Sequence, residues 1–214
     1  MRWIFTLLPM VALLGACTQS PRATFTSAPW AAITPEARQC LAQLGVTKAS
    51  FTPLPNRRFS AGCNQFNTVR LASLRGDDGM LRLENLGPVT CPMANTFAAW
   101  ARFGVDRAAR QILGSELMRI ETMGSYNCRT VAGSDHLSAH ATADAIDVAA
   151  FVLADGRRIS VEGDWMAGTA AEREFLRVIH TSACRRFGTV LGPAYNADHA
   201  NHFHLERSGN AFCR

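Results

Sequence analysis

Apolar and polar positions separate first at the start of the chain. Trp3 to Ala16 is a fourteen-residue stretch, nearly all apolar, behind a single positive charge at Arg2. It is too short to span a bilayer as a helix and has the make-up of a signal peptide. Residues 18–33 are rich in Ser, Thr, Pro and Ala without a period, which predicts a flexible tether. Periodicity begins after that. Thr34-Pro35-Glu36 predicts a capped helix start, with the helix running to about Leu44 and Gly45 stopping it. Thr68–Leu74 and Leu81–Leu86 flank Gly76-Asp77-Asp78-Gly79 and predict a β-hairpin. Pro92–Leu113 carries Phe97, Trp100, Ala101, Val105, Ala108 and Ile112 at helical spacing, with a break expected near Gly104. Leu117–Thr122 reads as a strand, and Ala145–Leu153 with Arg157–Val161 as a second hairpin around Ala154-Asp155-Gly156. Ala171–Phe187 predicts an amphipathic helix with Phe175, Val178 and Ile179 on one face, and His202–Glu206 a last strand. Strands and helices segregate rather than alternate, so the expected class is α+β: one domain, 34–214, with a small antiparallel sheet flanked by helices.

Composition narrows the picture. The 214 residues are 48% hydrophobic and 18% charged, which excludes a disordered chain, and 16 Gly with 9 Pro exclude a collagen-like rod. Lys+Arg total 22 against 17 Asp+Glu, giving +5. The excess is scattered with no basic block, so no nucleic-acid partner is expected. Of 7 cysteines, Cys17 stands apart. Leu14-Gly15-Ala16-Cys17 resembles a bacterial lipobox, which would make residues 1–17 a lipoprotein signal peptide and Cys17 the lipidated residue. The expected location is then the periplasm, with the chain anchored to a membrane by lipid rather than spanning it. Thr18 in place of an Asp points to the outer membrane. The remaining six cysteines, Cys40, Cys63, Cys91, Cys128, Cys184 and Cys213, are disulfide candidates in an oxidising compartment. Fifteen connectivities are possible, and Cys40 with Cys63 is the most local. The absence of a CxxC pair argues against a zinc finger or a thioredoxin.

Two windows carry the chemistry: Ser138-Ala139-His140-Ala141-Thr142-Ala143-Asp144-Ala145-Ile146-Asp147 and Asp198-His199-Ala200-Asn201-His202-Phe203-His204. Five of the chain's six histidines lie in or beside them; His180, on the late helix, reads as structural and His136 as a loop residue. On a strand, Ile146 and Val148 would face the core while Asp147 faces the other side. His202 and His204, two apart, would project from one strand face. A carboxylate among Ala, Ile, Val and Phe needs a partner, since an unpaired buried charge is costly. His140, Asp147 and one of the last two histidines would supply three ligands for one zinc ion, leaving a position open. Such a metal acidifies water and polarises a carbonyl, which is the chemistry of amide hydrolysis. Taken singly, each of these residues has a plainer reading as a buried histidine or a turn aspartate.

The windows resemble the Ser-x-His-x-x-Gly-x-Ala-x-Asp and His-x-His patterns of zinc D-Ala-D-Ala carboxypeptidases, lysostaphin-type peptidases and the hedgehog fold. Ser138, His140, Ala145 and Asp147 match, with Ala143 where the pattern has Gly. The chain more closely resembles the bacterial extensin-like C-terminal domain family over roughly Cys40–Arg214. The resemblance rests on Thr90-Cys91-Pro92-Met93-Ala94, Gly124-Ser125-Tyr126-Asn127-Cys128-Arg129, Ala183-Cys184-Arg185-Arg186-Phe187 and His202-Phe203-His204. It implies His140, Asp147 and His204 as zinc ligands. It also implies His202 as catalytic residue with His199 beside it, Arg129 as the grip on a substrate carboxylate, and Ser138 near the ligands or substrate. Many carboxypeptidase relatives place an Asp or Glu base three residues before the last ligand; here that position is Asn201, so the base role passes to His202.

Two functions follow as expectations. The first is a monomeric zinc peptidase, a murein carboxypeptidase or endopeptidase, acting on peptidoglycan stem peptides or cross-links. The second is a non-catalytic, metal-containing module that binds the cell wall. A disulfide-stapled envelope protein without metal leaves the His-x-His strand unexplained.

Overall fold

The computed structural model describes residues 34–207 and 211–214. The expected signal peptide, Cys17 and the tether lie outside the described residues. No helix among the described residues is long and apolar enough to cross a membrane.

Local signals set the first elements. Helix α1 (Pro35–Val46) starts where the Thr34 hydroxyl accepts from the Ala37 N–H at 3.2 Å. Strands β1 (Ser50–Pro53), β2 (Arg57–Arg58) and β3 (Asn64–Gln65) follow, and β2 and β3 pair as a separate ribbon. The predicted hairpin forms as β4 (Thr68–Arg75) and β5 (Met80–Glu84), closed by the Gly76 N–H on the Gly79 carbonyl at 2.9 Å. Strand β6 (Val89–Thr90) leads into α2 (Cys91–Trp100), capped by the Thr90 hydroxyl. The expected break near Gly104 does not occur. The helix continues as π-helical turns over Ala101–Asp106 and Ala109–Leu113. Gly104 instead lets two helices touch: a β-carbon there would lie 2.6 Å from Ser182 Oγ and 2.9 Å from Trp100 Cδ1.

Strands β7 (Leu117–Gly124), β8 (Ala145–Leu153) and β9 (Arg158–Ser160) come next, then α3 (Val161–Ala167) and α4 (Ala170–Cys184). Helix α4 opens on a capping box between Thr169 and Glu172. Its buried face is Phe175, Leu176, Ile179 and Ala183; Val178, expected on that face, is 41% exposed. The 3.6-residue period turns position 178 outward and position 176 inward. Strands β10 (Thr189–Leu191), β11 (Phe203–Glu206) and β12 (Phe212–Cys213) complete the chain.

Helices and a sheet thus share one domain, but the sheet is neither small nor purely antiparallel. Ten strands join in the order β1-β4-β5-β7-β8-β11-β10-β12, with β6 on β4 and β9 on β8. The β5–β7 and β10–β12 pairings are parallel. The first follows from the long crossover through α2, which returns the chain in the same direction. Ile146, Val148 and Phe151 of β8 and Phe203 and Leu205 of β11 pack with Trp100, Phe175 and Ile179 in one core. The indole N–H of Trp100 donates to the Ile179 carbonyl at 3.0 Å. Asp106, fully buried, is satisfied by the Leu117 and Asp77 N–H groups and by Arg110.

Three disulfides pair Cys40 with Cys91, Cys63 with Cys128, and Cys184 with Cys213. The local pairing of Cys40 with Cys63 is therefore wrong. Cys40 lies on α1, which packs on α2, and Cys91 is the first residue of α2. Residues 34–214 hold the whole described core and all three bridges.

Candidate metal centre

The sheet face turned away from the helices carries Asp147 and His204. Asp147 and His204 are direct cross-strand partners in the β8–β11 ladder. Their neighbours Ile146, Val148, Phe203 and Leu205 face the core, so alternation puts both side chains on the opposite face. His204 Nδ1 lies 2.9 Å from Asp147 Oδ1. On the other side of β8, Gly124 is the partner of Asp147 and has φ +117°, a conformation that favours glycine; there the chain leaves β7 for the loop that leads to His140.

His140 arrives from a short 3₁₀ turn, Ala139–Thr142. Ser138 is buried and its hydroxyl accepts from the His140 N–H at 3.3 Å, so its contact is with the turn that carries the ring. The His140 Nδ1–H donates to the Ser125 carbonyl at 3.0 Å. That turns Nε2 into the site, 3.2 Å from Asp147 Oδ2 and 3.1 Å from His204 Nδ1. The far nitrogen of His204, Nε2, lies 3.6 Å from Glu206 Oε2. One atom each from His140, Asp147 and His204 therefore falls within 4.8 Å of the others. Two imidazoles with their outer nitrogens held by a carbonyl and a carboxylate, plus one carboxylate, form a donor set suited to a divalent metal. A second group of potential ligands, His180, Cys184 and Cys213, has both sulfurs in a disulfide. His180 itself packs on Trp165 and Phe203.

The electrostatics follow from this crowding. Burial pushes the Asp147 carboxyl up, but hydrogen bonds from His140 and His204 outweigh it and hold the group well below the usual carboxylate range. Burial pushes His204 down, but Asp147 and Glu206 raise it to about 9. Without metal, His204 is thus an imidazolium locked against Asp147.

His202 sits at the rim of the same cluster, with Nε2 3.5 Å from Asp147 Oδ1. Its Nδ1–H donates to Asn201 Oδ1 at 2.7 Å, which turns the bare Nε2 toward the cluster. Burial lowers its pKa. His199 repeats the arrangement one step outward: its Nδ1–H donates to Asn196 Oδ1 at 2.6 Å, and its ring lies 5.2 Å from that of His202. Arg129 is exposed and bonds the Thr130 carbonyl at 3.3 Å. It makes no ion pair among the described residues, and its charge reaches His202, depressing it further. His136 is exposed on the same loop.

Several contributors carry no pattern in the sequence. The Ser125 carbonyl belongs to the backbone, and Asn196 and Glu206 are single polar residues without a spacing. Asp144 is buried; it accepts from the Thr90 hydroxyl at 2.6 Å and from Arg207 at 3.2 Å. It ties the His140 turn to the start of α2 and to the end of β11. Ala143 holds φ +58° and ψ +26° at the end of that turn.

The family model described as Extensin-like protein C-terminus matches residues 38–214. No curated protein and no solved structure matches the chain.

Proposed function

Because the chain belongs to the extensin-like C-terminal family over residues 38–214, we propose that it is a zinc-dependent peptidase cutting peptidoglycan stem peptides or cross-links in the cell envelope. The observation that supports this most is the donor set of His140 Nε2, Asp147 and His204 Nδ1, all within 4.8 Å. The hydrogen bond that holds the outer nitrogen of His140, with Glu206 3.6 Å from the outer nitrogen of His204, supports holding a metal. Zinc in this site supplies Lewis acidity suited to amide hydrolysis. His202, its Nε2 bare and turned inward by Asn201, takes or gives the proton or steadies developing negative charge. Arg129, which makes no ion pair among the described residues, offers a bidentate fork to a substrate carboxylate. His199 lines the approach, and Ser138 holds the turn behind the site. Kinship with zinc D-Ala-D-Ala carboxypeptidases, lysostaphin-type peptidases and the hedgehog fold is part of the same proposal. So are the periplasmic location and the lipid anchor at Cys17 on the outer membrane.

Asn201 favours a second reading, a metal-containing module that binds the wall without cutting it, because an amide cannot serve as base where relatives carry a carboxylate. Metal content and hydrolysis separate the two. Residues 34–214 should hold about one zinc per chain and lose it in His204→Ala or Asp147→Asn, and should release muropeptides from purified sacculi. Zinc retained with no hydrolysis selects the binding module. No zinc uptake even with excess metal overturns both.

A further inference from the structure

The outer face of α4 and the turn after it carry four arginines that no carboxylate among the described residues neutralises. Arg173, Arg177 and Arg185 recur four and eight residues apart, and Arg186 follows. With Phe103 and Arg107 from the extension of α2 and Val178 of α4, they line a groove between the two helices. Arg107 is engaged by Asp77 at 2.8 Å. Arg173 and Arg186 donate to the carbonyls of Gly168 and Ser182, and Arg177 lies 5.6 Å over the Trp165 ring. Arg173, Arg177, Arg185 and Arg186 form no ion pair among the described residues, although Glu174 also lines the groove. Arg173 and Arg177 stand one turn apart on α4, and Arg185 and Arg186 follow directly after its last turn. Beside it Phe103 is 45% and Val178 41% exposed.

Guanidinium groups fork onto phosphate oxygens, and exposed aromatic and branched side chains settle at the boundary between headgroups and acyl chains. We propose that this groove docks the domain on the surface of an anionic phospholipid bilayer. Arg177 and Arg185 bind headgroup phosphates, and Phe103 and Val178 enter the apolar boundary. The helices and the sheet stand between this groove and the histidine cluster, so a docked domain keeps the cluster turned away from the lipid. The proposal does not depend on the metal or the peptidase reading.

Vesicle sedimentation tests it with residues 34–214, using phosphatidylcholine vesicles with and without phosphatidylglycerol. The domain should partition onto the anionic vesicles and come off as salt rises. Arg177→Glu with Arg185→Glu should lower the partition at least about tenfold, at roughly one decade or less per charge. Arg177→Gln with Arg185→Gln should weaken it less, and Phe103→Ser should weaken it while keeping the salt dependence. All variants change exposed positions, and an unchanged melting temperature verifies their fold. Equal binding to neutral vesicles, or a charge-reversed variant that partitions like the wild type, overturns the proposal. So does binding of soluble polyphosphate without vesicle partition, which would assign the groove to a soluble polyanion.

Discussion

Asn201 Oδ1 accepts the Nδ1–H of His202 at 2.7 Å and so decides which nitrogen of that ring faces Asp147 and His204. A residue that by type cannot serve as a base thus sets the tautomer of the one that can. Asn201→Leu should leave zinc content unchanged and cut kcat about ten- to a hundredfold, the scale on which losing an orienting partner acts. Asn201→Asp keeps an acceptor and should restore most of the rate. Equal kcat in wild type and Asn201→Leu would remove His202 from the proposed chemistry.

The metal-free protein should respond to pH in a defined direction. His204 is held at about 9 when folded, against about 6.5 when unfolded. A raised folded value contributes stability in full below about pH 6.5 and loses it as pH rises through about 9. Asp147 is held low, so its contribution is present above about pH 4 and lost in acid. Zinc must displace the His204 proton, so its apparent affinity should climb over the alkaline window in which metal-free stability falls. Thermal melts of chelator-treated protein at about pH 6 and about pH 9.5, with and without zinc, check both trends. A flat metal-free melting temperature would contradict the His204–Asp147 pairing.

Asp144 should matter to stability although it touches no ring. Asp144→Ala strips the Thr90 hydroxyl of its 2.6 Å acceptor and Arg207 of its carboxylate. The expected loss is about 1–3 kcal/mol in urea unfolding. Less than about 0.5 kcal/mol, the level of a neutral surface change, would mean the turn is held without this clamp.

Gly104→Ala should destabilise by about 1–3 kcal/mol, because the new methyl meets the core-locked Trp100 ring as well as Ser182. Combining it with Ser182→Ala should recover part of the loss, since the 2.6 Å contact goes while the 2.9 Å contact to Trp100 remains. If Gly104→Ala melts like the wild type, the two helices have room that this packing does not show.

Much of the fold was legible where one element explains its own sequence. The Thr34 cap, the hairpin around Gly76–Gly79 and the alternation of Ile146, Asp147 and Val148 each carry their signal locally. The two-residue strands β6 and β12 do not; they are too short for a period and exist because a neighbour pairs with them. The Cys63–Cys128 bridge spans 65 positions and leaves no local trace. In the site, residue types and spacing singled out His140, Asp147, His202 and His204, but not the register that sets His204 opposite Asp147. Ala143 is a different case. Its left-handed conformation explains why glycine suits that position, and alanine tolerates it at some strain.

The bridge at Cys128 joins the loop beside Arg129 to Cys63, next to the β2–β3 ribbon, and Phe59 rests 5.6 Å from Tyr126 across the same junction. Residues 127–133 are exposed, and besides the bridge they are held by backbone hydrogen bonds, Asn127 N–H to the His140 carbonyl at 3.1 Å and Ser138 N–H to the Arg129 carbonyl at 3.1 Å. Arg129 is thus tied twice, through its own carbonyl to the turn that carries His140 and through Cys128 to the ribbon. The bridge closes a loop of 65 positions that takes in β4, β5, α2 and β7, so it restricts the unfolded chain as well as joining the ribbon to the His140 loop. One covalent bond far from the cluster in sequence thereby narrows the search by which the His140 turn finds its place beside β8 and β11.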